Sequence, residues 1–190
     1  MTLNRVQSLA RLSWLFDELV KTEHLILSKE GIESASLSPS DRWARGKCIP
    51  EISTLLYEEM ASTGIPYDAL ASIPAGGDRY VDHIADLVLE REGKRVPRIV
   101  LKKGYDGPYN GISIGGGTKR AGLRVMVVDD SIYTGAMCRK VAAVLASQGH
   151  TVSAFLCAAD LEYEYARGIS SPVVSVFNTA SLARVRRMKS

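Results

Sequence analysis

The chain has 190 residues, 46% of them apolar, with 24 Lys and Arg against 21 Asp and Glu, giving a formal charge of +3. That is enough chain to bury one sizeable core and close to the size at which a single domain is the default; no run approaches the ~18 consecutive apolar residues of a membrane span. The small positive charge gives little reason to expect a nucleic-acid partner, since much of it sits in what reads as a solvated tail at Arg184, Arg186, Arg187 and Lys189.

In chain order, the segment from Asn4 to about Leu27 places Val6, Leu9, Leu12, Phe16, Leu19 and Val20 at helical spacing, which predicts an amphipathic helix. The stretch from Ser28 to Pro50, rich in Ser, Gly and Pro, reads as loops or a short flap, and Glu51 to Ser62 as a second helix. Short apolar runs follow: Ala69 to Ile73, Arg98 to Leu101, Val125 to Val128, Val152 to Ala158 and Val173 to Phe177 are the predicted strands. Two helices intervene: Tyr80 to Glu90, with Val81, Ile84, Ala85, Val88 and Leu89 on one face, and Ala136 to Gln148, with Met137, Val141, Val144 and Leu145. Gly149 stands where a left-handed cap is expected. Lys102 to Arg120 has no periodicity and is glycine-rich, a candidate mobile active-site loop. The alternation implies an α/β fold, a mostly parallel sheet of five strands with helices on both faces, and ligands at the carboxyl ends of the strands.

The N-terminus lacks the regions of a secretory leader, so a cytosolic protein is expected. Cys48, Cys138 and Cys157 are odd in number, far apart and without a His or Cys partner at ligand spacing, which reads as reduced structural thiols. His24, His83 and His150 fall in predicted helices or at a helix end, where surface or packing roles are expected.

The run Val125-Met126-Val127-Val128-Asp129-Asp130-Ser131-Ile132-Tyr133-Thr134-Gly135-Ala136-Met137 carries the chemistry. A buried strand ends in two carboxylates, and a short loop with a hydroxyl and a glycine enters a helix. Backbone N–H groups of such a turn, aided by the helix dipole, cradle a phosphate. The carboxylates repel that phosphate and need hydroxyls or a metal-bound water, so a phosphorylated sugar meets both demands. Residue by residue, helix capping by Asp130 or Thr134 would explain as much; it is the whole unit in order that favours the sugar phosphate. Upstream, Ala69 to Ile73 runs into Pro74-Ala75-Gly76-Gly77-Asp78-Arg79, where glycines let backbone approach an anion and Arg79 offers a cation. An ordinary strand-to-helix turn reads the same way in isolation.

The Asp129 run resembles the signature of type I phosphoribosyltransferases that binds 5-phosphoribosyl-1-pyrophosphate (PRPP), and from about Asp68 to Phe177 the chain is most similar to the orotate branch, with Leu37 to Arg45 a weaker match to its flap. The resemblance implies a type I phosphoribosyltransferase fold with a small N-terminal flap, residues 1–62 carrying the N-terminal helices and flap and residues 63–180 the PRPP-binding core. It implies that Asp129 and Asp130 contact the ribose hydroxyls, and that Ser131, Ile132, Tyr133, Thr134, Gly135, Ala136 and Met137 hold the 5′-phosphate. By the same resemblance Ala75, Gly76, Gly77, Asp78 and Arg79 bind the pyrophosphate, with Lys102 and Lys103 as further ligands or, alternatively, solvated strand-end lysines. Mg²⁺ would be held mainly through PRPP, with Asp129 and Asp130 acting indirectly, and the protein would be a homodimer.

Five positions depart from the orotate pattern. Tyr133 replaces a usual threonine and resembles the Tyr-Thr-Gly run of the bifunctional pyrimidine-operon regulators, and Met137 replaces a hydroxyl residue. The closing loop's lysine and histidine correspond to about Asp106 and Pro108, leaving Lys119 or Arg120 as candidate loop cations. Where the orotate enzymes carry Asp-Arg to grip a carboxylate, this chain reads Asp160-Leu161-Glu162. The expected activity is Mg-dependent phosphoribosyl transfer from PRPP to a nucleobase, an orotate-like pyrimidine first. The alternatives are a PRPP-binding regulatory protein with weak or no catalysis, and a salvage transferase for another pyrimidine or a purine, its pocket lined by the flap around Trp43 and the segment after Ala159.

Overall fold

A computed structural model describes residues 3–22, 24–27, 32–35, 48–103, 112–116, 120–161 and 168–189. The elements in chain order are α1 (Leu3–Lys21), β1 (Leu25–Leu27), β2 (Ile32–Ala35), α2 (Ile49–Thr63), β3 (Ala69–Ser72), α3 (Asp78–Glu92), β4 (Arg98–Lys103), β5 (Ile112–Gly116), β6 (Arg124–Ile132), α4 (Ala136–Ser147), β7 (Thr151–Asp160), β8 (Val173–Phe177) and α5 (Thr179–Lys189).

The main sheet has six strands in the order β5-β4-β3-β6-β7-β8. Every pair from β4 through β8 is parallel, and β5 pairs with β4 antiparallel at the edge. The chain runs from β3 outward to β4 and then returns to place β6 on the other side of β3. The strand order thus reverses at β3 and β6, and a crevice opens at their carboxyl ends.

Alternation along the strands feeds two cores. Leu70, Met126, Val128 and Leu156 face one side, where α1, α2, α3 and α5 pack, while Ala71, Val125, Val127 and Phe155 face the other, covered by α4. Phe16 of α1 meets Phe177 of β8 edge to face, with ring centroids 4.9 Å apart, so the first helix is fixed to the last strand. Pro50 opens α2 where its missing N–H costs nothing, and Gly64, at φ 65°, closes it. Gly149 has the left-handed backbone its position predicts, with φ 76°.

Several expectations change. The first helix stops at Lys21: the Thr22 hydroxyl donates to the Glu18 carbonyl (2.7 Å) and the His24 N–H to Leu19 (2.9 Å), so Leu25–Leu27 leaves as a strand paired with Ile32–Ala35. Leu15 rather than Val20 completes the buried face of α1, and Leu89 lies exposed on α3. The segment Lys102–Arg120, expected as one loop, holds the end of β4 and all of β5, so the sheet has six strands rather than five. The basic C-terminus is not a solvated tail but helix α5, whose Leu182 and Val185 are buried. Among the described residues no helix is long and apolar enough to cross a membrane. The flap Leu37 to Arg45 with Trp43, the loop positions Asp106, Pro108 and Lys119, and Glu162 lie outside the described residues.

Candidate functional site

The loop after β3 and the acidic pair ending β6 are brought together at the crevice. A Cβ built on Gly76 would collide with Asp129 Oδ1 and lie 2.9 Å from Asp130 Oδ1, so this residue touches both carboxylates. Gly77 is pressed on Val128: a Cβ there would overlap its carbonyl oxygen and fall 2.6 Å from its carbonyl carbon. Ala75 between them and the strand holds φ 74°, a left-handed conformation that costs a non-glycine residue. Asp78 holds that geometry in place: one carboxylate oxygen accepts the Ser72 hydroxyl (2.5 Å) and the other the Ala75 N–H (3.1 Å). Its side chain therefore turns into its own loop, and Arg79 stands exposed on the first turn of α3.

Each carboxylate of the pair is aimed by the next residue. Asp129 Oδ1 accepts the Asp130 N–H (2.9 Å), and Asp130 Oδ1 accepts both the Ser131 N–H (2.7 Å) and the Ser131 hydroxyl (3.2 Å). Burial, with Asp130 alongside, raises the Asp129 carboxyl well above its ordinary value, and Lys103 at the end of β4 offsets part of this. The charge of Lys103 is thus felt at the pair, whereas the stem of Lys102 lies across Gly115 of β5. Beneath the pair, Tyr80 is fully buried; burial first, then the charge of Asp130, pushes its phenol far up.

After Asp130 the chain passes Ser131 and Ile132 into the turn Tyr133-Thr134-Gly135 and so into α4. Gly135, at φ 66°, takes the left-handed conformation that directs the chain into the helix. Ala136 and Met137 start α4, where the first N–H groups have no partner within the helix. The Thr134 hydroxyl accepts the Ala136 N–H at 3.4 Å, and the Thr134 carbonyl accepts Arg139 Nη1 at 3.2 Å. Tyr133 reaches away from the turn: its hydroxyl donates to the Ala35 carbonyl (2.7 Å) and receives the Ala35 N–H (3.3 Å).

Beside the turn a pocket of about 180 Å³ is lined by Ile132, Tyr133, Gly135, Asp160, Ile169, Ser171, Pro172 and Val173. Among the described residues Asp160 is the one carboxylate that lines it, and no cationic side chain does. Leu161 is buried in the apolar core, its N–H donating to the Ile132 carbonyl (3.1 Å).

The structure brings Ala75, Gly76, Gly77, Asp129, Asp130 and the turn into one neighbourhood; sequence reasoning did not single out Ser72, Tyr80 or Arg139. Arg139 alone carried a local signal, lying five residues after Thr134 on the first turn of the following helix. Among the described residues no group of three or more His, Cys, Asp or Glu side chains could hold a metal ion by itself.

No protein-family model matches the sequence, and no curated protein matches it. Solved structures do. The orotate phosphoribosyltransferase of Francisella tularensis superposes with a TM-score of 0.62 at 11% identity, covering 92% of this chain and 93% of that one. That of Mycobacterium tuberculosis H37Rv, in complex with PRPP, gives 0.58 at 21% identity over 93% and 92%. The adenine phosphoribosyltransferase of Saccharomyces cerevisiae gives 0.57 at 18% over 88% and 99%. With the sheet order and the crevice at β3 and β6, these likenesses show that the chain has the fold of the type I phosphoribosyltransferases.

Proposed function

We propose that the protein is an enzyme that binds PRPP at this crevice and transfers its phosphoribosyl group to a ring nitrogen of a nucleobase, releasing pyrophosphate. The observation that carries the reading is the seating of Gly76 on Asp129 and Asp130. It sets a loop suited to a diphosphate against two carboxylates suited to sugar hydroxyls, one short turn from the N-terminus of α4, which suits a phosphate monoester. PRPP carries these three groups in that order, and the solved orotate enzyme in complex with PRPP has the same fold.

In this reading the Asp129 and Asp130 carboxylates accept hydrogen bonds from the ribose hydroxyls, the backbone from Ser131 to Met137 with the Thr134 hydroxyl holds the 5′-phosphate, and the backbone of Ala75 to Gly77 with Arg79, Lys103 and, less directly, Lys102 faces the pyrophosphate. Asp78 acts one step back, fixing the loop rather than touching the ligand. The C1′–oxygen bond to pyrophosphate breaks as the bond from the base nitrogen to C1′ forms, and the base loses its proton. Charge builds on the departing pyrophosphate, and the chain's own contribution is to orient the ribose and offer cations there.

The residues present fit Mg²⁺ only in part-share: two adjacent carboxylates, one buried at a cost to its charge, favour a nearby cation, yet among the described residues too few protein ligands converge to hold it unaided. PRPP oxygens and waters would complete its shell, and the bound ion would neutralise pyrophosphate charge. The base is favoured to lack a carboxylate. Leu161 lies in the core, and the pocket beside the turn presents Asp160 and, among the described residues, no cation, which suits ring N–H or amino groups better than an acid.

Calorimetric titration with PRPP in the presence and absence of Mg²⁺ tests the site. Binding by the wild-type protein that the Asp129→Asn/Asp130→Asn double variant loses supports it; equal binding by both proteins contradicts it.

A further inference from the structure

The tyrosine of the phosphate turn has one bond more than a phosphate turn needs. Its hydroxyl spans 98 positions of sequence to bond both backbone groups of Ala35, the last residue of β2. Ala35 sits opposite Leu25 of β1, but its N–H and carbonyl point away from that strand to the tyrosine. The Tyr133 hydroxyl therefore does for the edge of the two-stranded sheet what a third strand would do, satisfying a donor and an acceptor at once.

The hairpin rests on the core by other means too, since Leu25, Ile32 and Ala35 are buried with α1 and α2. Those contacts are apolar and non-directional, so they hold the hairpin near the sheet without fixing where its backbone points. The Tyr133 bonds are directional, and they come from the turn, three residues before α4 begins and two residues after Ser131. Anything that orders that turn acts on the hairpin through one rigid aromatic side chain, and Tyr133 also lines the pocket that holds Asp160.

The geometry points to Tyr133 as a positioning residue that couples occupancy of the phosphate turn to the placement of the β1–β2 hairpin. This rests on the reading of the turn as a PRPP phosphate cradle. The phosphate fixes the turn, the turn fixes the tyrosine, and the tyrosine fixes the last residue of β2 while lining the pocket that holds Asp160. PRPP and base would then bind with positive coupling carried by this hydroxyl.

The test compares wild type with Tyr133→Phe, which keeps the ring and removes only the hydroxyl. Without ligand, amide exchange at Ala35 read by NMR is expected to quicken by about tenfold in the variant, the order expected for losing one or two hydrogen bonds, with amides of α4 unchanged. Equal exchange at Ala35 in the two proteins overturns the tether whatever PRPP does. With PRPP and Mg²⁺, wild type is expected to gain protection at residues 32–35, and the variant to bind PRPP within about threefold of wild type but without that gain; KM for the base rises about tenfold with kcat changed less. A variant that gains the same protection, or whose affinities for PRPP and base fall together, overturns the coupling. Wild type that fails to bind PRPP overturns the PRPP reading and the coupling with it, while the ligand-free exchange still decides the tether.

Discussion

Gly77 lies so close under the Val128 carbonyl that a Cβ on it would overlap the carbonyl oxygen, and a Cβ on its neighbour Gly76 would collide with the Asp129 carboxylate. The two glycines face obstacles of different kinds. Backbone in the central strand cannot give way, so Gly77→Ala is expected to destabilise the fold by about 1–3 kcal/mol, as overpacking does. Side-chain carboxylates can swing aside, so Gly76→Ala is expected to cost less than ~1 kcal/mol but to weaken PRPP binding at least tenfold by displacing the pair. Urea unfolding and PRPP titration of both variants separate the outcomes; a Gly76→Ala protein with unchanged PRPP affinity would count against the site.

Ala75 and Asp78 make a matched pair. The left-handed Ala75 is held by the carboxylate that also takes the Ser72 hydroxyl, so Asp78→Ala is expected to lower stability by about 1–3 kcal/mol. Ala75→Gly relieves the strain at an entropic cost of similar size and should leave the urea midpoint nearly unchanged. A large loss on Ala75→Gly would show that the Ala75 methyl matters more than its backbone angle.

Two aspartates are expected to give opposite pH dependences. Asp129 is raised above 3.8 by burial and by Asp130, so the folded state holds that proton more tightly than the unfolded chain. Its contribution is best at acid pH and declines as pH climbs from about 4 through the raised value. In ligand-free protein Asp129→Asn should therefore be at least as stable as wild type at pH 7 and no different at pH 3.5. Asp68, at the opposite end of the sheet, is held well below 3.8 by the two-pronged Arg124 contact (2.8 Å on each prong). Its contribution is present above about pH 4 and lost as pH falls, so Asp68→Asn should be less stable than wild type at pH 7 and converge with it in acid. Urea midpoints across this range read both signs.

The thiols should be silent in the folded protein. All three cysteines are buried, and burial pushes Cys138 up to about 12 and Cys157 well above its usual range. A thiol reagent at pH 8 is expected to label none of them until urea unfolds the chain. Rapid labelling of Cys138 under native conditions would mean that the start of α4 opens readily.

The parallel core was legible because its strands are continuous apolar runs ending in the residues that carry the chemistry: Val125 to Val128 gives way to two aspartates, and Ala69 to Ile73 to two glycines. What local pattern could not show was pairing. Ile112–Gly116 is a strand only because β4 lies beside it, and two of its five residues are glycines with low strand propensity. Leu25-Ile26-Leu27 is equally apolar as helix or strand, and the backbone turn at Thr22 and His24 decides. In α5, the many basic residues obscured Leu182 and Val185, which only the fold shows to be buried. The Tyr133–Ala35 bonds are wholly tertiary; the sequence marked Tyr133 as unusual but not its partner.

Pyrophosphate release from PRPP and Mg²⁺, measured against a panel of pyrimidine and purine bases with the Asp129→Asn/Asp130→Asn variant alongside, tests the proposed reaction most directly. Release with one base, favouring a ring without a carboxylate and abolished in the double variant, is the predicted result. Tight PRPP binding with no release for any base would contradict the transferase and leave a protein that senses PRPP.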